Sequence, residues 1–481
     1  MSKGNFNEYP LSGDVLKAIG LLNFNHPTKV QEQVIPAVLA QKDIIVKSQT
    51  GSGKTAAFAI PICELVDWEE NKPQALVLTP TRELAVQVRE DMFHIGRFKR
   101  LKVAAVYGQY PFQAQEKELK QKTHIVVGTP GRLIDHIERG TLDTSKIKYL
   151  VIDEADEMLN MGFIEQIESI ITRLPQGRVT LLLSATMPQD INVLCSKIME
   201  KPIRVEIEEQ NPAADRISQE SYRVDPVDKM RLLREITIVE NPDSCIIFCN
   251  TKQTVDEVYD ELVKLNYSCE KLHGGREQRD RLNVMNHFKQ GLFRYLVATD
   301  VAARGLDIED ITLVINYDIP YDRESYVHRI GRTGRVNKLG KAITFVTKNE
   351  DKFLMDIENY IGRAIPLKEK PEEGTVQQSE EEFISKNNTL PEFKEAKGVQ
   401  LGAEIMKIHV NAGKKTKMRP VDIVGTLCSL EGITAADIGI INILDISTFV
   451  EILNNKGELV LKALQNTPIK GRLRKVSKAD R

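Results

Sequence analysis

The sequence predicts an α/β protein with two doubly wound parallel-sheet lobes, followed by a small α+β domain of βαββαβ order. Three observations predict it. Short apolar runs alternate with helix-period segments from residue 43 to about 207 and again over 216–366, the rhythm of stacked βαβ units. A glycine-rich stretch ending in Lys-Thr separates the first apolar run from the helix after it. Residues 404–481 then change rhythm and charge, with 13 Lys+Arg against 8 Asp+Glu, a net of +5 that leaves −7 for residues 1–403. A basic tail on an acidic body reads as a separate anion-binding module.

The whole chain, 481 residues at a formal charge of −2, is long enough for two to four domains, and its bulk composition names no partner. Its six cysteines (63, 195, 245, 249, 269, 428) form no CxxC pair. Cys245 and Cys249 sit in the apolar run SCIIFCN, which suits buried thiols better than zinc ligands. The N-terminal MSKGNFNEYP lacks a basic-then-apolar signal pattern, and no apolar run approaches the ~18 residues of a membrane span. A cytoplasmic, reduced protein with no membrane partner is expected.

In chain order, Ser12 opens a helix running through Ile19, and Pro27-Thr28 open a second with Gln31 on its first turn. A glutamine amide both donates and accepts, which suits the N6/N7 edge of adenine. Phe6 and Phe24 are candidates to stack on that base. Taken alone, Gln31 reads equally as a solvated helix residue.

Asp43–Lys47 reads as a buried strand and AAFAIPICELV as a packed helix. Between them lies Ser48-Gln49-Thr50-Gly51-Ser52-Gly53-Lys54-Thr55. Such a turn aims backbone N–H groups at one point, where the helix dipole also favours an anion. Lys54 would reach the terminal phosphates of ATP, and the Thr55 hydroxyl would bind Mg²⁺. Ser48 replaces the first glycine of the GxxxxGK[ST] pattern.

Further strands read at 75–79, 102–106, 124–128, 149–153 and 180–185. Parallel sheets bind ligands at the carboxyl ends of their strands. Four tetrads or triads fall there: PTRE (80–83), TPGR (129–132), DEAD (153–156) and SAT (184–186). Asp153 could approach Mg²⁺ directly or through water, and Glu154 could orient and deprotonate a water. Two acids after a strand also suit a plain helix N-terminus.

The second half repeats the strands at 244–248, 294–298, 312–316 and 342–346 without a phosphate loop. It must assist a nucleotide held elsewhere. HRIGRTGR (328–335) places arginines on a glycine-punctuated loop that could reach a γ-phosphate, as an arginine finger does.

FNHPTKVQ, SQTGSGKT, PTREL, TPGR, DEAD, SAT, IIFCNT (246–251), QRDR (278–281), TDVAARGLD (299–307) and HRIGRTGR resemble, in order, the motifs of DEAD-box RNA helicases. The resemblance covers residues 6 to about 360. It implies RecA-like lobes over 1–207 and 216–366 and RNA-stimulated ATP hydrolysis with Mg²⁺. It assigns the arginine finger to Arg332 and Arg335, and ribose or phosphate-side contacts to Gly305 and Asp307. It implies that Arg82, Gly108, Thr129 and Arg132 in the first lobe, and Thr251, Gln278, Arg281, Thr299 and Arg304 in the second, face RNA phosphates and 2′-OH groups. ATP-driven closure would then bend one strand of a short duplex so that its partner leaves. Tyr107-Gly108-Gln109-Tyr110 departs from the family pattern, which has two glycines there.

Residues 367–403 turn acidic and polar, with no sustained period, and read as a linker with room for short helical pieces. In residues 404–476, strands fit at 405–411, 437–444, 448–453 and 469–476, and helices at 421–430 and 456–465. That order matches the split βαβ fold of RRM domains. Its sheet aromatics are thin: His409 and Phe449 are present, but Ser447 fills the partner position. Such a domain could serve protein contacts alone, yet Lys414, Lys415 and Lys417 favour RNA phosphates. Core, acidic linker and basic tail together resemble the bacterial DbpA subfamily, which implies a monomeric large-subunit assembly factor directed to a 23S ribosomal RNA hairpin. Two other readings compete: a DNA helicase on the same two lobes, and an ATP-switched RNA clamp or scaffold.

Overall fold

Parallel strands covered on both faces need apolar residues on both faces. The first sheet meets that demand with β1 (Ile44–Lys47), β2 (Ala75–Leu78), β3 (Val103–Val106), β4 (Ile125–Gly128), β5 (Tyr149–Ile152), β6 (Val179–Ser184) and β7 (Ile203–Glu206). Every residue of β2, β4, β5 and β6 is buried. The order is β3-β4-β2-β5-β6-β1-β7, all parallel. Val77, Val127 and Val151 face one core layer, and Leu76, Val126 and Ile152 face the other. Because the strands share a direction, Ser48, Gly108, Thr129, Asp153 and Ala185 all follow strand ends on one edge.

The structure, a computed structural model, describes residues 4–49, 51–207, 217–300, 311–334, 340–394 and 398–479. It divides into two compact units, one of Met1–Ile207 with Lys397–Arg481, the other of Glu208–Ala396. The second unit is built on β8 (Ile217–Arg223), β9 (Cys245–Cys249), β10 (Cys269–Leu272), β11 (Tyr295–Thr299), β12 (Leu313–Asn316), β13 (Gly340–Val346) and β14 (Leu367–Lys368). Their order is β10-β11-β9-β12-β13-β8-β14, again parallel. Cys245 and Cys249 are both buried on β9.

The acidic segment after this sheet carries a long helix, Glu373–Asn387, packed on the second unit. Phe383 anchors it 5.2 Å from the Tyr267 ring, and Arg234 pairs with Glu380 at 2.9 Å. Arg294 donates from Nη2 to the Lys386 and Thr389 carbonyls at 2.9 and 3.2 Å, capping its last turn.

The tail forms an antiparallel sheet of β15 (Met406–Val410), β16 (Ile438–Ile443), β17 (Thr448–Ile452) and β18 (Val476–Lys478), in the order β16-β17-β15-β18. Helices Pro420–Cys428 and Gly457–Leu464 pack Ile423, Leu427, Val460 and Leu464 on Ile408, Val410, Val450 and Ile452. The last strand comes later than the expected 469–476. Ile469 and Arg472 instead pair across a tight turn, with Lys470 and Gly471 at φ 52° and 72°, so pairing with β15 starts at Val476. Among the described residues no helix is long and apolar enough to cross a membrane.

Candidate active site

The loop after β1 is shaped by its glycines. Gly51 and Gly53 have φ of 82° and 89°, a region open to glycine, and a Cβ on Gly53 would lie 2.7 Å from the Gln31 amide. The helix Lys54–Leu65 therefore starts directly above β1, its first N–H groups turned toward the loop. Lys54 is buried and donates from Nζ to the Ser48 carbonyl at 2.6 Å. Ser48 is tied into the sheet by its N–H to the Ser184 carbonyl, 3.0 Å, which gives it a structural use that needs no glycine. Gln49 is exposed, Ser52 and Thr55 are half-buried, and Thr50 lies outside the described residues.

Gln31 is 5 % exposed and clamps this loop to the preceding helix. Its Oε1 accepts from the Thr28 N–H at 2.9 Å, and its Nε2 donates to the Gly53 carbonyl at 3.2 Å. One N–H and one lone pair of the amide are left over, the pair an adenine edge requires. Phe24 is half-buried at the surface of the same core. Phe6 is 3 % exposed and packs edge-on to Tyr9, with centroids 6.4 Å apart, so it backs the core rather than offering a free face.

Asp153 is buried at the end of β5, its Oδ1 accepting the Glu154 N–H at 3.0 Å. Burial pushes its carboxyl up to about 6, against the pull of Lys54. A carboxylate so costly to keep charged, next to the loop that carries the Thr55 hydroxyl, fits a hard divalent cation such as Mg²⁺. Glu154 has left-handed backbone, φ 52° and ψ 52°, at the start of the helix Ala155–Asn160. A non-glycine residue held there stores roughly 1 kcal/mol or more, and the twist points its side chain away from that of Asp153.

Asp156, not among the residues singled out from sequence, binds the turn after β5 to the turn after β6. Its Oδ2 accepts from the N–H groups of Ala185 and Thr186 at 3.2 and 2.8 Å and from the Thr186 hydroxyl at 2.9 Å. The adjacency of DEAD and SAT at neighbouring strand ends is the signal that could have found it.

The four first-lobe residues expected at RNA lie together. Arg82 donates to the Gln109 side chain, and a Cβ on Gly108 would stand 3.7 Å from the Arg82 guanidinium. Arg132 donates to the Tyr110 carbonyl and to Gln115 Oε1, both at 2.8 Å. Thr129 heads the Pro130–Glu138 helix, its N–H on the Val106 carbonyl. Gln109 stands in the left-handed region at φ 57°, the conformation a second glycine would adopt without strain. The backbone path of the family is kept, and the added side chain meets Arg82.

In the second unit Thr251 caps the helix Lys252–Lys264, accepting from the Thr254 N–H at 3.0 Å. Gln278 and Arg281 are buried on the first turn of Gln278–Lys289, and Thr299 is buried at the end of β11. Arg332 is 6 % exposed, with Nε on the His328 carbonyl at 3.2 Å. Arg304, Gly305, Asp307 and Arg335 lie outside the described residues. Sequence reasoning also passed over Arg329, 1 % exposed. It grips Asp300 with Nε and Nη2, both at 2.5 Å, and reaches Asn250 Oδ1 at 2.8 Å and the Asp318 carbonyl at 2.6 Å. That network fixes the turn three residues before Arg332.

On the tail, Lys414, Lys415 and Lys417 are exposed. Their loop is fixed by Lys414 and Lys415 N–H bonds to the Leu444 and Asp445 carbonyls, both 2.8 Å. A Cβ on Gly413 would fall 2.2 Å from the Leu444 oxygen, so only glycine permits this approach. His409 and Phe449 are paired across β15 and β17 with rings 5.1 Å apart.

Residues 28–194 match the DEAD/DEAH box helicase family, 228–337 the helicase conserved C-terminal domain, and 407–478 the DbpA RNA binding domain. The chain is 56 % identical over 477 residues to the ATP-dependent RNA helicase DbpA of Bacillus subtilis (strain 168), spanning 99 % of this chain and 100 % of that one. It is 46 % identical over 366 residues to the DEAD-box ATP-dependent RNA helicase CshA of Geobacillus kaustophilus (strain HTA426), spanning 76 % and 78 %. Among solved structures, S. cerevisiae Dbp5 bound to RNA and ADP BeF3 is similar with a TM-score of 0.71 and 32 % identity, over 79 % of this chain and 99 % of that chain.

Proposed function

The chain belongs to the DEAD-box family of ATP-dependent RNA helicases, and on that premise we propose that it opens short duplexes near a 23S ribosomal RNA hairpin held by its tail, as a cytoplasmic monomer serving large-subunit assembly. One observation carries the choice of RNA. The core's candidate contacts suit sequence-neutral phosphate and 2′-OH groups, whereas the tail presents a rigid, exposed lysine loop to solvent.

In this reading Lys54 and the N–H groups of the loop from Gly51 to Thr55 hold the phosphates of ATP. The spare donor and acceptor of Gln31 read the adenine edge, Phe24 stacks on the base, and Phe6 supports that wall. Asp153 and Thr55 would hold Mg²⁺, partly through water; the ion screens the phosphate oxygens. Glu154 orients the attacking water and takes its proton. Arg332 and Arg335 stabilise charge developing on the γ-phosphate, with Gly305 and Asp307 alongside. Arg82, Gly108, Thr129 and Arg132, joined by Thr251, Gln278, Arg281, Thr299 and Arg304, grip one RNA strand. Closure couples that grip to hydrolysis, and phosphate release ends it.

The test is ATP turnover with a ribosomal hairpin RNA, an unrelated RNA and DNA, using wild type and the Lys414→Ala/Lys415→Ala/Lys417→Ala variant. Wild type is expected to prefer the ribosomal RNA. The variant should lose that preference and up to about 0.7–0.9 of salt slope per lost phosphate contact. Equal stimulation by all three nucleic acids would refute the reading.

A further inference from the structure

The tail and the first lobe fold as one unit, and the groups between them form a built interface. Helices cover one face of the tail's sheet, and the other face carries Asn442, Phe449 and Glu451 on facing positions. The first lobe meets the β16 side of that open face. Lys102, just before β3, donates from Nζ to the Ile441 carbonyl at 2.8 Å and to Asn442 Oδ1 at 2.6 Å. Arg97 pairs with Glu451 at 3.2 Å, with only 14 % and 13 % of the two side chains exposed. Both β3 and β16 are edge strands, whose open backbone groups need cover, and each provides it for the other. An apolar cluster joins Ala18 and Phe98 of the lobe to Leu401, Ile405 and Leu453 of the tail. Gly398, where the chain enters the tail, lies so close that a Cβ would stand 2.7 Å from the His94 ring. Burial lowers the Lys102 ammonium to about 8, as a desolvated contact should.

The position of this interface matters as much as its existence. Lys102 precedes β3 and Gly108 follows it, while Arg97 and Arg82 stand at opposite ends of the helix Arg82–Ile95. A 14-residue helix is about 21 Å long. The docked tail therefore leaves the strand-end groups Arg82, Gly108, Thr129 and Arg132 uncovered. It also leaves the lysine loop exposed, since that loop packs on the β16–β17 turn rather than on the lobe.

We propose that the C-terminal domain docks on the first lobe by the open face of its sheet, and that this contact holds RNA bound at the lysine loop at a fixed span from the lobe's RNA-facing edge. The face that an RRM fold offers to RNA is here partly a protein contact. The tail then acts as a spacer of set length between hairpin and duplex. The span, though not the docking, rests on the ribosomal RNA reading above.

The experiment uses the full chain as wild type, Arg97→Glu, Glu451→Arg and the exchanged pair. Hydrogen exchange read by mass spectrometry should show backbone amides in 96–102 and 438–443 exchanging about tenfold faster or more in each single variant. The exchanged pair should restore protection. Turnover is then measured on substrates that join a ribosomal hairpin to a short duplex through single-stranded spacers of increasing length. Wild type and the exchanged pair should show one preferred spacer length, and the single variants a flat profile. Unchanged exchange across all variants, with hairpin binding intact, overturns the docking. Restored protection with no spacer preference in wild type overturns the fixed span. A hairpin that fails to bind wild type overturns the span together with the ribosomal reading, while the exchange arm still decides the docking.

Discussion

Replacing Asp156 by asparagine keeps the shape of the side chain and removes its charge. The carboxylate is 6 % exposed, with Oδ1 on the Glu157 N–H at 3.2 Å and Oδ2 shared by two N–H groups and a hydroxyl of Ala185 and Thr186. An amide has one acceptor oxygen, so whichever way it turns, its NH₂ faces a donor. With the oxygen toward Thr186, three charge-assisted bonds become neutral, each losing about 1 kcal/mol, and the Glu157 N–H loses its acceptor. The first lobe should lose about 3 kcal/mol. Trp68 is the one tryptophan in the chain and lies in that lobe, so its fluorescence follows urea unfolding of this part alone. With a slope of roughly 3 kcal/mol per M, the midpoint should fall by about 1 M. RNA-stimulated kcat should fall about tenfold or more with little change in KM for ATP, because the turn after β6 no longer follows the turn carrying Glu154. A midpoint within about 0.2 M of wild type, together with unchanged kcat, would refute the coupling.

Lys54→Ala should weaken nucleotide binding measured by fluorescent-analogue titration, whereas Glu154→Gln should bind normally and turn over no ATP. Arg332→Ala should bind ATP and RNA nearly as wild type but lose about 10³-fold in RNA-stimulated kcat, read in single-turnover assays. Asp153 has a folded-state pKa near 6, raised from an unbound carboxylate's 3.8. Its contribution to nucleotide-free stability is therefore fully present below pH about 4 and lost as pH rises through about 6. Asp153→Asn should remove that slope and raise stability at pH 7 by up to about 3 kcal/mol while abolishing turnover, which pH-dependent urea titrations will check.

The buried strands were legible because a parallel strand covered on both faces is an unbroken apolar run, as in ALVL of β2 and YLVI of β5. Edge and half-exposed strands were not. β8 reads ISQESYR and β7 IRVE, with too few apolar residues to stand out from a loop. The helix Glu373–Asn387 is polar along most of its length, and Phe383 is its one buried side chain. In the tail, positive φ at Lys470 and Gly471 turned an apparent strand into a hairpin bend. The phosphate loop, DEAD and Arg332 were visible because their chemistry sits in contiguous residues. Asp156 with Thr186, Arg329 with Asp300 and Asn250, and Lys102 with Asn442 are pairings across distant segments, which one sequence does not display.

The central claim, that ATP turnover drives strand release next to an RNA chosen by the tail, is tested most directly by one unwinding measurement. A short labelled duplex attached to a ribosomal hairpin is mixed with the full chain, and strand release is followed by fluorescence with ATP, without ATP, and with Glu154→Gln. Fast release is predicted only for wild type with ATP, and only when the hairpin is present. Equal release without ATP, or from duplexes lacking the hairpin, would contradict the account.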